Sequence, residues 1–359
     1  MQAKLQALLD RQIGRGNVTS VVAGVQSADG SLDVAAAAGL ADPASGSAMT
    51  PETPYHLASI AKMYTASAIL KLHEQDQLDV EETIATYLPA SLTEGLHVYR
   101  GTDYGGQIRV YQLVNQTSGL ADYFLDKPKG GRSVFDDLKQ GHDRALDTAQ
   151  VVEVVRGLTP KFPPGQGGGT RAHYADTNYR LLGAIVEAVT GQPVAEAFGQ
   201  LIFEPLALAH THFYDAGVAR PEGEPATVYL KASPLHLPRF LTSHTTEGGI
   251  VSTVRENLVF LRAFFEGRLF DAAWFDRLTG RWNRIFFPMQ YGYGLMRLNL
   301  PRAFSPFKPF PEFVGHSGST GSFAYTCPDK ALYLVGTVNQ IADPGRPIRL
   351  MMRIASLVE

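Results

Sequence analysis

The stretch HLASIAKMYTASAIL, residues 56–70, places Ser59 three positions before Lys62 on a segment whose apolar residues recur at helical spacing. Side chains three positions apart share one face of a helix, so the hydroxyl and the ammonium would lie side by side. Ser59 falls at the predicted helix start, where unpaired amides and the helix dipole favour developing negative charge. Two interpretations stay open. Lys62 is either a charge that snorkels to water or an ammonium that prepares Ser59 for nucleophilic attack.

The Ser-x-x-Lys spacing is weak evidence by itself, because the chain contains a second copy at Ser305 and Lys308. That copy holds Pro306 and Pro309, which are incompatible with a helical turn that aligns the two side chains. Only the first copy therefore predicts a hydroxyl paired with an ammonium.

The composition is that of a large globular chain without a strong charge bias. The chain has 359 residues, of which 45% are hydrophobic and 19% charged, with a formal net charge of −3. This length suits two closely joined subdomains or one large domain. Nucleic acid and anionic membranes are not expected partners, because both require concentrated Lys and Arg. The default partner is a small-molecule or peptide substrate, and the oligomeric state stays open.

Cysteine, histidine and apolar patterning bear on metals, membranes and location. The single cysteine, Cys327, allows neither an intrachain disulfide nor a cysteine-based metal cluster. The segment His210-Thr211-His212 has metal-ligand spacing but lacks a third ligand, so no metal and no cofactor are expected. No apolar run approaches the roughly 20 residues of a membrane span. Charges interrupt any signal-peptide core in residues 1–17, which predicts a cytoplasmic protein; a secreted protein trimmed of its leader would present the same sequence.

Predicted strands occupy both ends of the chain. The runs VTSVVAGVQ (18–26) and SLDVAAAAGLAD (31–42) flank Asp29-Gly30 and predict a hairpin. Two further strands flank Pro328-Asp329-Lys330, and IRLMMRIASLVE (348–359) predicts a closing helix. This order predicts an α/β (α+β) fold, with an antiparallel sheet built from both termini, flanked by helices, and an inserted helical subdomain.

The same order predicts the domain boundaries. Residues 1–75 plus 225–359 are expected to form the sheet subdomain and residues 76–224 the mainly helical one. The active site would lie between them. Within the helical part, TNYRLLGAIVEAVTG (177–191) predicts a helix capped by Asp176 or Thr177. Farther on, Thr253 and Glu256 predict a capping box.

Two more motifs follow Ser59 and Lys62 along the chain. Tyr174-Ala175-Asp176 comes after a Gly/Pro loop and directly before a helix, and His316-Ser317-Gly318 begins a predicted strand. In this order of motifs the chain resembles the penicillin-recognising serine hydrolases: class C β-lactamases, DD-peptidases, D-aminopeptidases and β-lactamase-like esterases. The resemblance implies a β-lactamase/transpeptidase-like fold. It covers nearly the whole chain, including the phrases TPETPYHLASIAK (50–62), EGGIVST (247–253) and GHSGSTGSF (315–323).

The resemblance implies a chemical role for these residues. Ser59 would be the nucleophile that forms an acyl-enzyme, with Lys62 and Tyr174 acting together as the base. Holding a phenol ionised near neutral pH costs about 4 kcal/mol, which the Lys62 ammonium would offset by Coulomb attraction. The oxyanion hole would consist of the backbone N–H groups of Ser59 and of Ser319, the latter on the strand after Gly318.

The substrate-binding residues implied by the resemblance are Asp176, His316, Ser317 and Gly318. Gly318 would let the substrate lie against the strand, and a strand bulge is the alternative reason for this glycine. Many relatives carry Asn where Asp176 stands. A carboxylate there would pair with Lys62, favour amine-bearing substrates, or cap the following helix. His316 replaces the usual Lys, which weakens capture of a β-lactam carboxylate and predicts poor β-lactamase activity.

The most favoured function is a serine hydrolase acting on small esters or on D-amino-acid-type amides and peptides. The alternatives are a class C-type β-lactamase or DD-peptidase, an acyltransferase, and a non-catalytic binding or structural member of the fold. Substrate choice is assigned to loops such as 126–137 and 236–247. The glycine-rich run 165–170 lacks the residues of a phosphate loop and is predicted to be a flexible segment near the cleft mouth.

Overall fold

The computed structural model describes residues 1–165, 171–300 and 310–358. The glycine-rich run at 165–170 lies, apart from its first residue, outside the described residues. The second Ser-x-x-Lys copy, at Ser305 and Lys308, lies outside them as well.

Short strands and helices alternate along the described chain. The strands are β1 (Ser20–Ser27), β2 (Asp33–Asp42), β3 (Ser47–Ala48), β4 (Tyr55–His56), β5 (Val98–Tyr99), β6 (Thr102–Asp103), β7 (His212–Phe213), β8 (Tyr229–Leu230), β9 (Ser233–Pro234), β10 (Ile250–Ser252), β11 (Asn283–Phe286), β12 (Met289–Tyr291), β13 (Met296–Leu298), β14 (Phe313–Ser317), β15 (Ser322–Cys327) and β16 (Leu332–Thr337). The helices are α1 (Gln2–Asp10), α2 (Ala61–Glu74), α3 (Ala90–Thr93), α4 (Val110–Val114), α5 (Val134–Lys139), α6 (Thr148–Arg156), α7 (Asp176–Thr190), α8 (Val194–Phe198), α9 (Pro238–Ser243), α10 (Val254–Phe265), α11 (Trp274–Thr279) and α12 (Gly345–Leu357).

A nine-stranded antiparallel sheet joins the two ends of the chain. Its strand order is β11-β12-β13-β14-β15-β16-β1-β2-β3, so the N-terminal hairpin sits beside the last strand. Val22 of β1 pairs with Thr337 of β16 and with Ala37 of β2. The predicted α/β (α+β) fold, with an antiparallel sheet built from both termini and flanked by helices, is confirmed.

Both faces of strand β1 are covered. Neighbouring residues of a strand point to opposite faces, yet Val21, Val22 and Ala23 are all fully buried. On one face α10 packs so closely that a Cβ on Gly24 would lie 2.5 Å from a methyl group of Val254. Helices α1 and α12 contact each other and also pack on the sheet. The sheet is therefore the centre of the hydrophobic core.

Two of the predicted helix caps differ from the structure. Helix α7 begins at Asp176, after Ala175 at the cap position, and no side chain caps it. The prediction that Asp176 or Thr177 caps this helix is wrong, because both side chains bind other groups. The predicted capping box before α10 is half formed. Thr253 accepts a hydrogen bond from the amide of Glu256, whose carboxylate accepts from the amide of His210 instead of reaching back.

Helix α2 runs through the interior, with ten consecutive residues from Ala61 to Leu70 buried. It contacts α7, which also packs on α4, α6 and α8. A second, three-stranded sheet has the order β4-β10-β7, and its strand β4 leads directly to Ser59. None of the helices in the described part of the chain has the length and apolar character needed to cross a membrane. The boundaries between the two subdomains stay a prediction.

Candidate active site

The segment that carries Ser59 is fixed by strand pairing and by a strained turn. β4 pairs with β10, and the amide of Leu57 donates a hydrogen bond to Ile250 O at 2.9 Å. Ala58 has a φ of +48°, a left-handed value that is unfavourable for a residue with a Cβ. The chain then enters a 3₁₀ turn, Ala58–Ile60, which continues into α2. This geometry holds the half-buried Ser59 at the N-terminal end of a buried helix.

The side chain of Lys62 is fully buried and its ammonium contacts three oxygen atoms. Lys62 Nζ lies 3.1 Å from Ser59 Oγ, 2.6 Å from the carbonyl oxygen of Glu247 and 2.6 Å from Asp176 Oδ1. The contacts with Ser59 and Glu247 are hydrogen bonds donated by the ammonium, and the contact with Asp176 is an ion pair. The interpretation of Lys62 as a charge that snorkels to water is wrong, because the side chain has no exposed surface.

Asp176 reaches Lys62 from the first residue of α7. Its side chain is 9% exposed, and the 2.6 Å contact forms a buried ion pair. Of the three roles predicted for this carboxylate, pairing with Lys62 is the one that the geometry shows. The pair carries almost no net charge, so the positive charge of Lys62 has little attraction left for other groups.

Tyr174 lies beside this ion pair. Lys62 Nζ is 5.1 Å from the centre of the Tyr174 ring, and the enclosed hydroxyl forms no hydrogen bond within the described residues. Burial raises the pKa of Tyr174 well above its usual value, and the Asp176 charge adds to this, although the nearby Ser59 hydroxyl opposes it. The phenol is therefore protonated at neutral pH. The expectation that Lys62 would hold it ionised does not fit a lysine that is paired with a carboxylate.

A second carboxyl group, Asp122, lies behind Asp176. Asp122 is 2% exposed and accepts hydrogen bonds from the amides of Asp176 at 3.0 Å and Phe124 at 3.2 Å. Burial and the neighbouring Asp176 carboxylate raise the pKa of Asp122 to about 8, although these backbone hydrogen bonds oppose the shift. Sequence reasoning missed Asp122, because nothing in the motif order relates it to Asp176.

The raised pKa of Asp122 predicts a pH-dependent stability that Asp122→Asn removes. At pH 6.5 the folded protein keeps a proton that the unfolded chain, with a carboxyl pKa near 3.8, has lost. Stability is therefore lost as the pH rises through about 8. Between pH 6.5 and 8 the free energy of unfolding should fall by roughly 2 kcal/mol more in the wild type than in Asp122→Asn.

Urea unfolding of both proteins at four pH values in this window measures the difference. Lower pH is avoided because His56 and His316 have lowered pKa values of about 4 and about 3. A histidine with a lowered pKa adds a slope of the opposite sign below pH 6.5. Parallel curves for the two proteins would contradict the prediction and would mean that Asp122 is ionised at neutral pH.

The carbonyl that holds Lys62 belongs to Glu247, whose carboxylate is fully buried in its own network. Glu247 Oε1 lies 2.5 Å from Arg180 Nη2 and 3.3 Å from His244 Nδ1, and it accepts a 2.8 Å hydrogen bond from Tyr123. Burial alone would raise the pKa of Glu247, but Arg180 and His244 hold it well below its usual range. The network thus fixes the peptide whose oxygen binds the ammonium.

Two glycines follow Glu247 because the turn is crowded. A Cβ on Gly248 would lie 2.4 Å from His244 Nε2, and a Cβ on Gly249 would lie 1.6 Å from the carbonyl oxygen of His244. Sequence reasoning missed Glu247 as a residue of the site. The Glu-Gly-Gly run inside the segment 247–253 could have indicated it. Two consecutive glycines suggest a tightly constrained backbone, and an acidic residue comes directly before them.

The predicted oxyanion donors are the backbone N–H groups of Ser59 and Ser319, and both residues line one cleft. Ser319 lies in the turn between β14 and β15, not on a strand as predicted, because β14 ends at Ser317. Among the described hydrogen bonds, none uses the amide of Ser319. Gly318 is required by packing, since a Cβ there would lie 2.3 Å from the carbonyl oxygen of Leu57 and 2.0 Å from Ser322 Oγ. This close approach brings the turn against the segment that carries Ser59.

His316 and Ser317 are directed into the protein. His316 is fully buried, with Nδ1 2.8 Å from the carbonyl oxygen of Ser317 and Nε2 3.4 Å from the hydroxyl of Tyr291. Burial, assisted by the charge of Lys62, lowers the pKa of His316 to about 3, so the ring is neutral at physiological pH. Ser317 Oγ lies 2.7 Å from the hydroxyl of Tyr325. Neither side chain presents a positive charge to the cleft.

A cleft of about 1000 Å³ opens beside Ser59. Ser59, Asp176 and Ser319 all line it. Both segments that were assigned to substrate choice reach it, since Phe135 of 126–137 and Leu237, Phe240 and Leu241 of 236–247 line the cleft. Phe124 and Leu138, next to the first segment, add to this apolar wall. The space is large enough for a drug-sized or dipeptide-sized molecule.

The histidine pair at 210 and 212 lies on the other side of β10 from the nucleophile segment. His212 is on β7, and both rings face Glu222, with nitrogen–oxygen distances of 3.6 Å and 3.5 Å. Within residues 1–165, 171–300 and 310–358, no group of three or more His, Cys, Asp or Glu side chains is arranged to hold a metal ion.

The sheet, the buried helix α2 and the cluster around Ser59 define a class: serine hydrolases with a β-lactamase/transpeptidase-like fold. Within that class, the chain belongs to the beta-lactamase family, whose sequence model matches residues 5–358. The resemblance drawn from the motif order is thereby confirmed for the family and the fold.

Two curated relatives of this chain are named as an amidase and as an esterase. An N-acetylmuramyl-L-alanine amidase of Bacillus subtilis (strain 168) is 31% identical over 58% of this chain and 45% of the relative. Esterase EstB of Burkholderia gladioli is 28% identical over 64% of this chain and 57% of the relative. The chain thus spans about half the length of these curated relatives.

Solved structures match over the whole chain. A D-stereospecific amidohydrolase from Streptomyces sp. superposes with a TM-score of 0.75 at 26% identity, covering 98% of both chains. A D-amino acid amidase from Ochrobactrum anthropi SV3 superposes with a TM-score of 0.77 at 21% identity, covering 99% of this chain and 98% of that one. The second likeness shows the fold alone.

Proposed function

We propose that the protein hydrolyses small esters or D-amino-acid-type amides and peptides through an acyl-enzyme on Ser59, with weak or no β-lactamase activity. One observation carries the proposal. The Ser59 hydroxyl lines the cleft and accepts a 3.1 Å hydrogen bond from Lys62, whose ammonium also contacts a carboxylate. A hydroxyl in contact with groups that exchange protons is the arrangement that serine nucleophiles require.

The site is built from both proposed subdomains. Ser59, Lys62 and Ser319 belong to residues 1–75 plus 225–359, whereas Tyr174 and Asp176 belong to residues 76–224. Contacts between the two groups, such as the Lys62–Asp176 ion pair, support an active site at their interface. A substrate carbonyl placed over Ser59 would meet the amides of Ser59 and Ser319, which are proposed to stabilise the oxyanion.

Tyr174 is proposed to act as a hydrogen-bond donor in its neutral form. Its raised pKa keeps the phenol protonated, and the enclosed hydroxyl has no other partner in the described residues. A protonated phenol beside the nucleophile donates a hydrogen bond to a leaving alkoxide or amine, which lowers the barrier to collapse of the tetrahedral intermediate. Lys62 contacts Ser59 directly, so it is favoured over Tyr174 as the group to which the serine proton passes.

Poor turnover of β-lactams follows from His316. A β-lactam carries a carboxylate that needs a fixed positive charge nearby, and the His316 ring is buried and neutral. The names of two similar proteins, an esterase and a D-stereospecific amidohydrolase, agree with ester and amide substrates. A cytoplasmic location stays a prediction from the sequence.

A substrate panel and an acylation probe test this proposal. Purified protein should turn over p-nitrophenyl butyrate or a D-amino-acid p-nitroanilide with a kcat/KM roughly 100-fold or more above that for a chromogenic cephalosporin. A fluorophosphonate should add once per chain, on the tryptic peptide that contains Ser59. No adduct and no turnover across the panel would favour a non-catalytic member of the fold. Faster ester consumption on addition of acceptor alcohols would favour an acyltransferase.

A further inference from the structure

The ammonium of Lys62 cannot take the proton of Ser59 in the observed arrangement. It donates hydrogen bonds to Ser59 Oγ and to the carbonyl oxygen of Glu247, and it lies 2.6 Å from Asp176 Oδ1 in an ion pair. A protonated lysine has no lone pair, so it donates to Ser59 Oγ and accepts nothing. The proton that leaves Ser59 during acylation therefore needs a further destination.

Tyr174 does not provide that destination. To accept a proton, the phenol would first have to ionise, and burial together with the Asp176 carboxylate disfavours the phenolate. Asp176 is the other basic group within reach. Its Oδ1 lies 2.6 Å from Lys62 Nζ in an ion pair, and this atom has no hydrogen-bond partner in the part of the chain that the structure describes.

We infer that Asp176 is the terminal acceptor of the Ser59 proton, with Lys62 as the relay. This inference rests on the proposed function. Lys62 gives one proton to Asp176 Oδ1 and becomes a neutral amine, which leaves a lone pair on Nζ. Rotation by a third of a turn about the Cε–Nζ bond directs this lone pair at Ser59. Glu247 O keeps the nitrogen in place during the rotation.

The transfer balances in atoms and charge. As Ser59 Oγ bonds to the substrate carbonyl carbon, its proton passes to Lys62 Nζ, which is again an ammonium. The result is a tetrahedral oxyanion, a protonated Asp176 and a charged Lys62. When the intermediate collapses, the carbon–leaving-group bond breaks and the leaving group takes a proton. Asp176 resupplies that proton through Lys62, so the carboxylate is regenerated for deacylation by water.

The relay has a consequence for pH dependence. Carboxylic acids ordinarily titrate near pH 4 and alkylammonium groups near pH 10. If Asp176 is the acceptor, the site is active as soon as the carboxylate is ionised, so the wild type stays active in mild acid. If Asn replaces Asp176, Lys62 itself must lose a proton before it can act as the base, and this requires a higher pH.

The test is the pH profile of kcat/KM for the wild type and Asp176→Asn between pH 5 and 9. The substrate is p-nitrophenyl butyrate, which carries no amine, followed at its isosbestic wavelength. The acid limb of Asp176→Asn should lie at least about 2 pH units above that of the wild type. At pH 6 the variant should be roughly 100-fold slower, and at pH 9 within roughly tenfold. A merely structural role would lower activity by the same factor at every pH.

Other titratable groups face this pair and need controls. Asp122 contacts the amide of Asp176, and Tyr174 and Tyr179 lie against Lys62. His316 interacts with Lys62, and His244 bonds the side chain of Glu247. The pKa values of Tyr174 and Tyr179 are raised and that of His316 is lowered, all away from pH 5 to 9.

Asp122→Asn and His244→Gln are the matched controls, because they neutralise the remaining groups without touching Lys62. Their acid limbs should stay within about half a pH unit of the wild-type limb. A shift in either control equal to that in Asp176→Asn would overturn the inference. So would an unshifted limb in Asp176→Asn.

A second substrate separates the relay from substrate binding. If Asp176 instead bound a substrate amine, Asp176→Asn would raise KM for D-alanine p-nitroanilide alone and leave the butyrate ester unaffected, which would overturn the inference. If the variant does not fold, the pH profile of kcat/KM without this variant still tests the inference. A kcat/KM that falls tenfold per unit below pH 8 in both the wild type and Asp122→Asn would overturn the inference. In these cases the proposed function stands, since it depends only on turnover by the wild type and on the loss of that turnover in Ser59→Ala.

Discussion

Ser59→Ala is expected to lower kcat for every substrate by roughly 10⁴-fold or more, because no acyl-enzyme forms without the hydroxyl. The oxyanion amides and the cleft remain in this variant, so weak substrate binding should persist. The fold should persist as well, since the half-buried hydroxyl makes a single described hydrogen bond, to Lys62. Steady-state kinetics, intact-mass spectrometry after fluorophosphonate treatment, and a thermal unfolding curve measure the three parts of this expectation.

The matched control is the serine of the second Ser-x-x-Lys copy. Ser305→Ala should leave both turnover and labelling at the wild-type level, because that copy contains prolines that are incompatible with an aligned helical turn. Unchanged turnover in Ser59→Ala would remove the basis of the proposed function. Loss of activity in both variants, with intact folding, would mean that the first copy alone does not account for the chemistry.

The sequence predicted those parts of the molecule that depend on local pattern. Ser59 and Lys62 lie one helical turn apart, so their contact follows from spacing alone. The terminal strands follow from strand-like apolar runs on both sides of Asp29-Gly30 and of 328–330, and hairpins of this kind assemble into antiparallel sheets. The motif order then indicated the family, which connected segments that no local rule connects.

The sequence did not predict how the carboxyl groups share protons. Asp176 has the residue type of a helix cap, and that local preference suggested a cap. In the structure a buried ammonium is a stronger partner for the carboxylate than its own helix amides, so the side chain binds Lys62. The ionised state expected for Tyr174 assumed a lysine with free positive charge, and it does not fit the raised pKa of this phenol or the pairing of Lys62 with Asp176.

The sequence also did not predict the contacts that main-chain groups make in the site. Lys62 binds the carbonyl oxygen of Glu247, and a carbonyl is present at every residue, so no letter in the sequence marks it. The side chain of Glu247 acts indirectly, because its contacts with Arg180 and Tyr123 fix the peptide that carries this carbonyl oxygen. Ser319 similarly offers an amide whose position depends on where β14 ends. Such contacts become predictable only when backbone paths are known.

Lys62→Met is the second large expected effect, and it should reduce both activity and stability. Methionine has a similar length and no charge, so the variant removes the relay and leaves the Asp176 carboxylate buried without its partner. Breaking one partner of a buried ion pair typically costs about 3–5 kcal/mol of unfolding free energy. Loss of the group that exchanges protons with Ser59 should lower kcat/KM by roughly 10²–10⁴-fold. Urea unfolding and ester kinetics measure the two effects.

The double variant Lys62→Met/Asp176→Asn separates these two effects. Asparagine removes the unpaired negative charge, so most of the lost unfolding free energy should return, because replacing both partners of a buried pair is often nearly neutral. Activity should not return, since neither Lys62 nor Asp176 is present to take the proton of Ser59. Recovery of both stability and turnover would mean that Lys62 only compensates a buried charge and has no part in the reaction. Recovery of stability alone would mean that the loss of activity in Lys62→Met does not arise from the unpaired carboxylate that this variant leaves buried.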